Sequence, residues 1–291
     1  MIKRRDFLIN SGLALSALAI APSFAFAAKK KAIGIQLWTL RDTFPKDVKG
    51  VLAQVGKIGF NEVETFGFSP TKGFFGTSVK DFKKMLCDND LKATSNHFDF
   101  NGYIENGNTD VIKSYTEAAN ILGSEYITVP YVVENLRGKT GDDYKKLALK
   151  VNKAAEICKA AGLKLAYHNH DFEFTKFGAT NGYEILLNET DKKLVDFEMD
   201  LYWVVRAGHD PLQLFKEHPG RFKMWHVKDM DKANHEFNAV IGTGTIDFKS
   251  IFAQSELSGM KRFFLEHESN YIPNPIESAA ASYNYIKNNL I

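Results

Sequence analysis

Short runs of β-branched and aromatic residues alternate along this chain with longer stretches in which apolar residues recur at helical spacing. This alternation is typical of repeated βα units, and eight of them can be counted between residues 33 and 288. The predicted strands are 32–37, 62–65, 92–96, 126–129, 164–168, 194–199, 222–227 and 263–266. The predicted helices are 46–58, 78–89, 109–122, 142–161, 182–189, 211–218, 248–257 and 276–289. The pattern predicts an α/β fold, an eight-stranded parallel (β/α)8 barrel of the TIM type.

Residues that favour helix ends support these boundaries. Gly59, Gly123 and Gly162 follow predicted helices, where a left-handed glycine commonly ends the helix. Ser78 and Asp210 precede predicted helices and can cap them. The rival fold is a doubly wound open sheet, but no G-x-G-x-x-G segment follows the first predicted strand.

The N-terminus has the pattern of an export signal. Arg4-Arg5 precedes an apolar stretch at residues 13–21 and then Ala25-Phe26-Ala27, which resembles a cleavage site. The apolar stretch is well short of the roughly 20 residues that a membrane span requires. We therefore predict a twin-arginine signal peptide at residues 1–27 and a single barrel domain at residues 28–291, located in the periplasm. The alternatives are an uncleaved N-terminal anchor and a chance basic start.

Charge and cysteine content narrow the range of partners. The whole chain has 37 basic and 35 acidic residues, and 34 of each remain after residues 1–27 are removed. A neutral mature chain gives no support for a nucleic-acid partner or an anionic membrane surface.

Cys87 and Cys158 lie in helical contexts without a third ligand nearby, so we interpret them as structural thiols. The sequence is compatible with assembly into a homo-oligomer.

Five polar residues stand at or just past the carboxyl ends of predicted strands five to eight. They are His168, His170, Asp200, His226 and Glu266. Because the carboxyl ends of barrel strands meet on one face, these side chains are expected to lie together. Imidazole and carboxylate without thiolate suit Mn²⁺, Co²⁺, Zn²⁺, Fe²⁺ or Mg²⁺. The alternatives are a helix N-cap role for Asp200 and ordinary polar roles for the histidines.

Further polar and aromatic residues fall at the same predicted face. The candidate substrate contacts are Gln36, Trp38, Glu64, His97 and Trp203, and Lys228 follows strand seven. Sugars suit such walls, because their C–H faces stack on aromatic rings while their hydroxyl groups need hydrogen-bond partners. Ordinary barrel packing is the alternative for each aromatic residue.

Several of these segments, in this order, resemble the sugar isomerase/epimerase superfamily of xylose isomerase-like barrels, which also includes nucleases of the endonuclease IV type. The resemblance covers nearly all of residues 32–290. The segments that carry it are Ile33-Gly34-Ile35-Gln36-Leu37-Trp38, Gly59-Phe60-Asn61-Glu62-Val63-Glu64, Leu165-Ala166-Tyr167-His168-Asn169-His170-Asp171, Phe197-Glu198-Met199-Asp200, His226-Val227-Lys228-Asp229 and Leu265-Glu266.

The resemblance implies a divalent metal held by one residue from each of strands five to eight. In that family these are a glutamate, an aspartate, a histidine and a glutamate, which correspond here to His168, Asp200, His226 and Glu266. His168 is a departure, and it puts in doubt an epimerisation that uses two glutamates on opposite faces of the sugar. The residues expected to take part in catalysis are Glu266, His168, His170 and Lys228.

The favoured hypothesis is a metal-dependent isomerase or epimerase that removes a proton next to the carbonyl of a keto-sugar or sugar derivative. One alternative is a metal-dependent lyase or hydratase acting on an oxidised glycoside, which the departure at His168 favours. The other alternative is a sugar-binding barrel without catalysis. A nuclease would need a basic groove, and the neutral charge disfavours it.

Overall fold

A barrel of parallel strands forms the centre of the described part of the chain. The computed structural model describes residues 32–291, so the signal peptide predicted at residues 1–27 lies outside the described residues. Eight strands of the described part form one sheet. They are β1 (Gly34–Gln36), β2 (Glu62–Thr65), β3 (Lys92–Asn96), β4 (Tyr126–Val129), β5 (Lys164–His168), β6 (Val195–Asp200), β7 (Phe222–Val227) and β8 (Arg262–Leu265).

The sheet curls until its two edge strands meet. Its order is β3-β2-β1-β8-β7-β6-β5-β4, and every neighbouring pair is parallel. Strands β3 and β4 are joined by a parallel bridge between His97 and Thr128 and by a 3.1 Å hydrogen bond from the Glu125 N–H to the Thr94 carbonyl. The predicted eight-stranded parallel barrel is therefore confirmed.

Helices lie between the strands, as the alternation predicts. Residues 32–291 contain α1 (Val48–Ile58), α2 (Val79–Cys87), α3 (Asn101–Asn106), α4 (Asp110–Leu122), α5 (Gly141–Ala160), α6 (Gly182–Glu189), α7 (Leu201–Arg206), α8 (Pro211–Glu217), α9 (Phe248–Ala253), α10 (Ser255–Ser258) and α11 (Pro275–Asn289). Ser78 and Asp210 cap α2 and α8 through backbone N–H groups, and Gly59 and Gly123 end α1 and α4 with positive φ. Within this range, no helix is long and apolar enough to cross a membrane.

The structure differs from the prediction in one helix and at the carboxyl ends of several strands. The helix predicted at residues 248–257 is interrupted at Gln254, whose ψ of 16° departs from helical geometry. Strand β1 ends at Gln36, because the next four residues turn into a 3-10 helix. The loops after β2, β5 and β7 contain short antiparallel ribbons, at residues 68–74, 176–181 and 229–239. These ribbons build up the end of the barrel where the polar residues lie.

A small apolar cluster lies beneath the polar residues. Tyr126, Ala166, Met224 and Phe264 form a buried cluster that is separate from the main core between sheet and helices. Side chains two positions apart on a strand share a face. Ala166 and Met224 therefore share faces with His168 and His226, and Phe264 is paired with His226 in register. The apolar cluster forms a floor for the candidate site.

Candidate metal centre

Three of the four predicted metal ligands converge at the carboxyl end of the barrel. Asp200 ends β6, His226 lies in β7 and Glu266 directly follows β8. His226 Nδ1 lies 3.0 Å from Glu266 Oε2 and 4.0 Å from Asp200 Oδ2. All three residues are buried, and their ligand atoms lie within 4.8 Å of one another. We call these residues the mouth set.

His168, the fourth predicted ligand, lies beside the mouth set. Its Nε2 is 3.9 Å from Asp200 Oδ2, and its ring centroid is 4.5 Å from that of His226. Its other ring nitrogen, Nδ1, lies 3.2 Å from Glu198 Oε2. One nitrogen of His168 thus lies near Asp200, and the other is paired to a carboxylate. The ligand atoms of His168 group with those of His97, Glu198 and His226, a second set that could hold an ion.

Asp200 has two roles, one for each carboxylate oxygen. Oδ1 accepts hydrogen bonds from the backbone N–H groups of Tyr202, at 2.9 Å, and Trp203, at 3.1 Å, and so caps α7. Oδ2 lies 3.3 Å from Lys228 Nζ and belongs to the mouth set. The two alternatives left open by the sequence, N-cap and site residue, are both compatible with this structure.

Two fully buried carboxylates lie behind the histidine rings, and we call Glu64 and Glu198 the inner carboxylates. Glu64 Oε2 is 2.6 Å from His226 Nε2. His97 Nε2 lies between the inner carboxylates, 3.0 Å from Glu64 Oε2 and 2.8 Å from Glu198 Oε2. The sequence analysis missed Glu198. The two-residue spacing of Glu198 and Asp200 on one strand, like that of His168 and His170, could have indicated it.

The shortest distances identify contacts that must be hydrogen bonds. Two ligands on one ion with bonds near 2.0–2.1 Å stand about 2.9–3.4 Å apart in octahedral or tetrahedral geometry, and farther when they lie opposite each other. The separations of 2.6 Å (Glu64–His226) and 2.8 Å (Glu198–His97) are shorter, so they are hydrogen bonds. The 3.0 Å separation of His226 Nδ1 and Glu266 Oε2 fits either a hydrogen bond or two ligands of one ion, and the separations of 3.9–4.0 Å to Asp200 Oδ2 are longer than hydrogen bonds.

Charge at the mouth also fits a divalent cation. The buried Lys228 ammonium lies 3.3 Å from Asp200, 2.9 Å from Glu266 and 2.6 Å from Glu268. Three carboxylates thus surround a single ammonium, and a divalent ion would add positive charge to this carboxylate-rich site. Buried unbalanced charge is unfavourable. The donor types, the separations and the charge therefore all fit such an ion.

Burial and neighbouring charge shift the titration of these groups. Burial raises the pKa of Glu198 to about 7, and the charge of Glu64 adds to the effect. Burial acts the same way on Glu64, but His97 and His226 outweigh it and lower the pKa of Glu64. Burial also raises the pKa of Asp200 to about 6 against the opposing effect of Lys228. Burial, with the charge of His226, lowers the pKa of His168 well below its usual value, which favours a neutral imidazole.

Aromatic residues line the mouth around His170. The centroid of its ring lies 5.0 Å from that of Tyr131 and 5.2 Å from that of Trp203. In the part of the chain that the structure describes, His170 Nδ1 and Trp203 Nε1 are buried without a hydrogen-bond partner. Trp38 is 40% exposed. These side chains can therefore offer polar atoms and ring faces to a bound molecule.

The remaining predicted substrate contacts are engaged within the protein. Gln36 is fully buried, and its side chain donates to Glu64 at 2.7 Å and accepts from the Trp38 N–H at 2.9 Å. Glu64 and His97 contact the histidine rings and the inner carboxylates, as described above. Substrate roles for these three residues stay predictions.

Comparisons with known proteins agree with this architecture. The family model of the xylose isomerase-like TIM barrel matches residues 52–289. Inosose dehydratase of Clostridium perfringens is 30% identical over 198 residues, which cover 58% of this chain and 66%, just under two thirds, of that relative. A sugar phosphate isomerase/epimerase from Parabacteroides distasonis superposes with a TM-score of 0.78 and 27% identity, covering 90% of this chain and 96% of that one.

The crystal structure of the IolI protein with a bound zinc atom also superposes, with a TM-score of 0.68. At 18% identity, over 88% of this chain and 97% of that one, this likeness shows the fold alone. The match of the family model covers most of the described barrel. This chain therefore belongs to the family of xylose isomerase-like TIM barrels.

Proposed function

We propose that this protein is a divalent-metal-dependent enzyme that removes a proton from the carbon next to the carbonyl of a keto-sugar or a related keto-polyol. The observation that carries the proposal is the convergence of the mouth set above the apolar floor, with His168 Nε2 3.9 Å from Asp200 Oδ2. Epimerisation and dehydration can both begin with such a proton transfer. The names of the two relatives, a sugar phosphate isomerase/epimerase and an inosose dehydratase, support this class of chemistry.

The mouth set and His168 would hold the ion. When bound, it would act as a Lewis acid that polarises the substrate carbonyl. The zinc in the IolI protein supports an ion in this fold. Imidazole and carboxylate donors suit Mn²⁺, Co²⁺, Zn²⁺, Fe²⁺ and Mg²⁺ alike in kind.

The protein's own groups would bind the substrate and move the proton. We assign proton transfer first to His170, because its Nδ1 has no partner in the described residues and its ring lies at the mouth, 5.0 Å from that of His168. Glu266 is the second candidate. Lys228 lies 5.2 Å from the centre of the Trp203 ring and keeps a positive charge near the developing oxyanion. Trp203 and Trp38 would contact the faces of the sugar.

The fate of the proton defines two candidate functions. Return of the proton to carbon gives an isomer or epimer. Departure of a β-hydroxyl group gives a dehydrated product. Dehydration is favoured by the relative that is 30% identical and by His168, which stands where a two-glutamate epimerase has its first glutamate. The matched region spans just under two thirds of that relative, so its activity is proposed here for this chain and not transferred.

Isotope exchange tests the proposal and separates the two functions. Protein stripped with a chelator and reloaded with Mn²⁺, Co²⁺ or Zn²⁺ is incubated with keto-hexoses, keto-glycosides and inososes in D₂O. A gain of about 1 Da without loss of water indicates proton transfer alone, whereas a loss of about 18 Da indicates dehydration. His226→Ala and the metal-free protein are the controls. Binding of these sugars without exchange by any loaded form would refute catalysis and favour a sugar-binding barrel.

The cellular location is a separate proposal. We infer periplasmic location from the twin-arginine pattern in residues 1–27. Fractionation of cells that express the wild type or Arg4→Lys/Arg5→Lys tests it. Retention of the double variant in the cytoplasm is expected, and equal export of both proteins would contradict the inference.

A further inference from the structure

The two histidines of the candidate centre are oriented in opposite senses. His226 turns Nδ1 toward Glu266 and Asp200 and Nε2 toward Glu64. His168 does the reverse, with Nε2 nearer Asp200 and Nδ1 near Glu198. Each imidazole therefore has one nitrogen directed at the mouth set and the other at an inner carboxylate.

We propose that Glu64 and Glu198 are positioning residues that hold the two histidine ligands in opposite tautomers, with the proton on Nε2 in His226 and on Nδ1 in His168. This inference rests on the proposed function, because it assigns partners to the ligands of the proposed ion. A carboxylate that accepts the N–H of one ring nitrogen leaves the lone pair of the other nitrogen free for a metal.

Glu64 accepts two hydrogen bonds at one carboxylate oxygen. Its Oε2 receives Gln36 Nε2 at 2.7 Å in addition to His226 Nε2 at 2.6 Å. Glu64 and His226 are both fully buried, so water does not compete for these contacts. A carboxylate has no proton of its own to donate at this oxygen, and the His226 contact therefore requires the proton on Nε2.

Glu198 plays the corresponding role for His168 from the neighbouring strand. The two residues are register partners in the β5–β6 pair, and both side chains are almost completely buried. When Glu198 is ionised, its Oε2 can only accept, and the 3.2 Å contact with His168 Nδ1 then requires the proton of that ring on Nδ1.

His97 joins the two positioning residues into one unit. Its Nε2 contacts both inner carboxylates, and its ring lies parallel to that of His226, with 5.3 Å between centroids and 16° between planes. The His226 ring is thus fixed at its edge by Glu64 and along its face by His97. Loss of such partners of a metal ligand typically weakens metal binding by about 10- to 100-fold.

The tautomers can be read directly in the wild-type protein. In protein labelled with ¹⁵N-histidine and loaded with zinc, we expect a protonated Nε2 for His226 and a protonated Nδ1 for His168, assigned with His226→Ala and His168→Ala. This measurement needs no variant at the inner carboxylates. The same tautomer in both rings, in protein that binds zinc, would overturn the inference and leave the proposed function standing.

Zinc affinity provides the second measurement, by competition with a chromophoric chelator. We expect Glu64→Gln and Glu198→Gln to weaken zinc binding by about 10- to 100-fold and to disturb the tautomer of His226 and of His168, respectively. Glu62→Gln is the matched control, because Glu62 lies on the same strand but contacts Arg262. Equal affinity and unchanged tautomers in both variants would refute positioning. A wild-type protein that binds no zinc, Mn²⁺ or Co²⁺ would overturn the proposed function and this inference with it.

Discussion

Asp200 offers a test in which one side chain carries two separable roles. Its Oδ1 caps α7 by accepting the N–H groups of Tyr202 and Trp203, and its Oδ2 belongs to the mouth set. Asparagine retains an oxygen that can accept both N–H groups but lacks the charge, whereas alanine lacks both. The variants Asp200→Asn and Asp200→Ala therefore differ mainly in the cap.

The expected magnitudes follow from these contacts. Loss of an aspartate cap costs about 1 kcal/mol, while asparagine caps about as well as aspartate. Lys228 loses the charge of its Asp200 partner in both variants, so this part of the cost is common to both. For a chain of this size, about 1 kcal/mol lowers Tm by about 2 °C. Structural zinc sites bind with about 10–16 kcal/mol over four ligands, so one lost ligand should weaken zinc binding by about two orders of magnitude or more in both variants.

Two assays on the same proteins measure these effects. Urea unfolding in excess chelator compares the metal-free forms, and chelator competition gives the zinc affinity. Asp200→Ala should be less stable than Asp200→Asn by about 1 kcal/mol, and both should lose zinc. Equal stability of the two variants would refute the capping argument. Wild-type zinc affinity in Asp200→Asn would refute the assignment of Oδ2 as a ligand.

Three further predictions concern the barrel itself. Burial raises the pKa of the Cys158 thiol to about 12, whereas Cys87 is exposed. Ellman's reagent at pH 8 should therefore label Cys87 rapidly and Cys158 only after unfolding. Rapid labelling of both thiols would contradict the burial of Cys158. Burial raises the pKa of Glu173 from 4.5 to about 7. The folded protein then holds this proton more tightly than the unfolded chain. The stabilisation from this proton is complete below pH 4.5 and is lost as the pH rises to about 7, which lowers the free energy of unfolding by about 3 kcal/mol. Urea unfolding between pH 4.5 and 8 should show this loss in the wild type and not in Glu173→Gln, and parallel curves would refute it. A Cβ at Gly34 would lie 2.5 Å from the Phe264 ring, so Gly34→Ala should lower the free energy of unfolding by about 1–3 kcal/mol in urea, and wild-type stability would show that the ring can move.

The barrel and the grouping of its polar residues could be predicted from the sequence because both depend on short-range patterns. Apolar runs of four to six residues define the strands, and parallel connection fixes which strand ends meet. His168, Asp200, His226 and Glu266 stand at or near strand ends in the sequence, and they are neighbours in the structure. Topology alone was sufficient for that step.

The inner carboxylates depend on information that short-range patterns lack. Glu64 and His226 are 162 residues apart, and the sequence placed both at one face without indicating that they touch. Their contact depends on strand register and side-chain rotamers across the barrel. Gln36 shows the same limit, because its position predicted a group facing substrate while the structure shows both ends of its side chain bonded within the protein. Its burial follows from the turn into a 3-10 helix directly after β1.

His168 illustrates how a change of ligand type can be accommodated by its neighbours. The family resemblance places a glutamate at this position, so histidine removes one negative charge from the ligand set and adds an N–H that must find an acceptor in a buried site. Glu198 is the register partner of His168 and provides that acceptor at 3.2 Å. A carboxyl group is therefore kept close to the centre, on a residue that contacts a proposed ligand. A neutral imidazole backed by a carboxylate can still support an ion, while one of the two glutamate bases of an epimerase is absent. For the proposed enzyme, this combination supports a proton transfer that ends in loss of water.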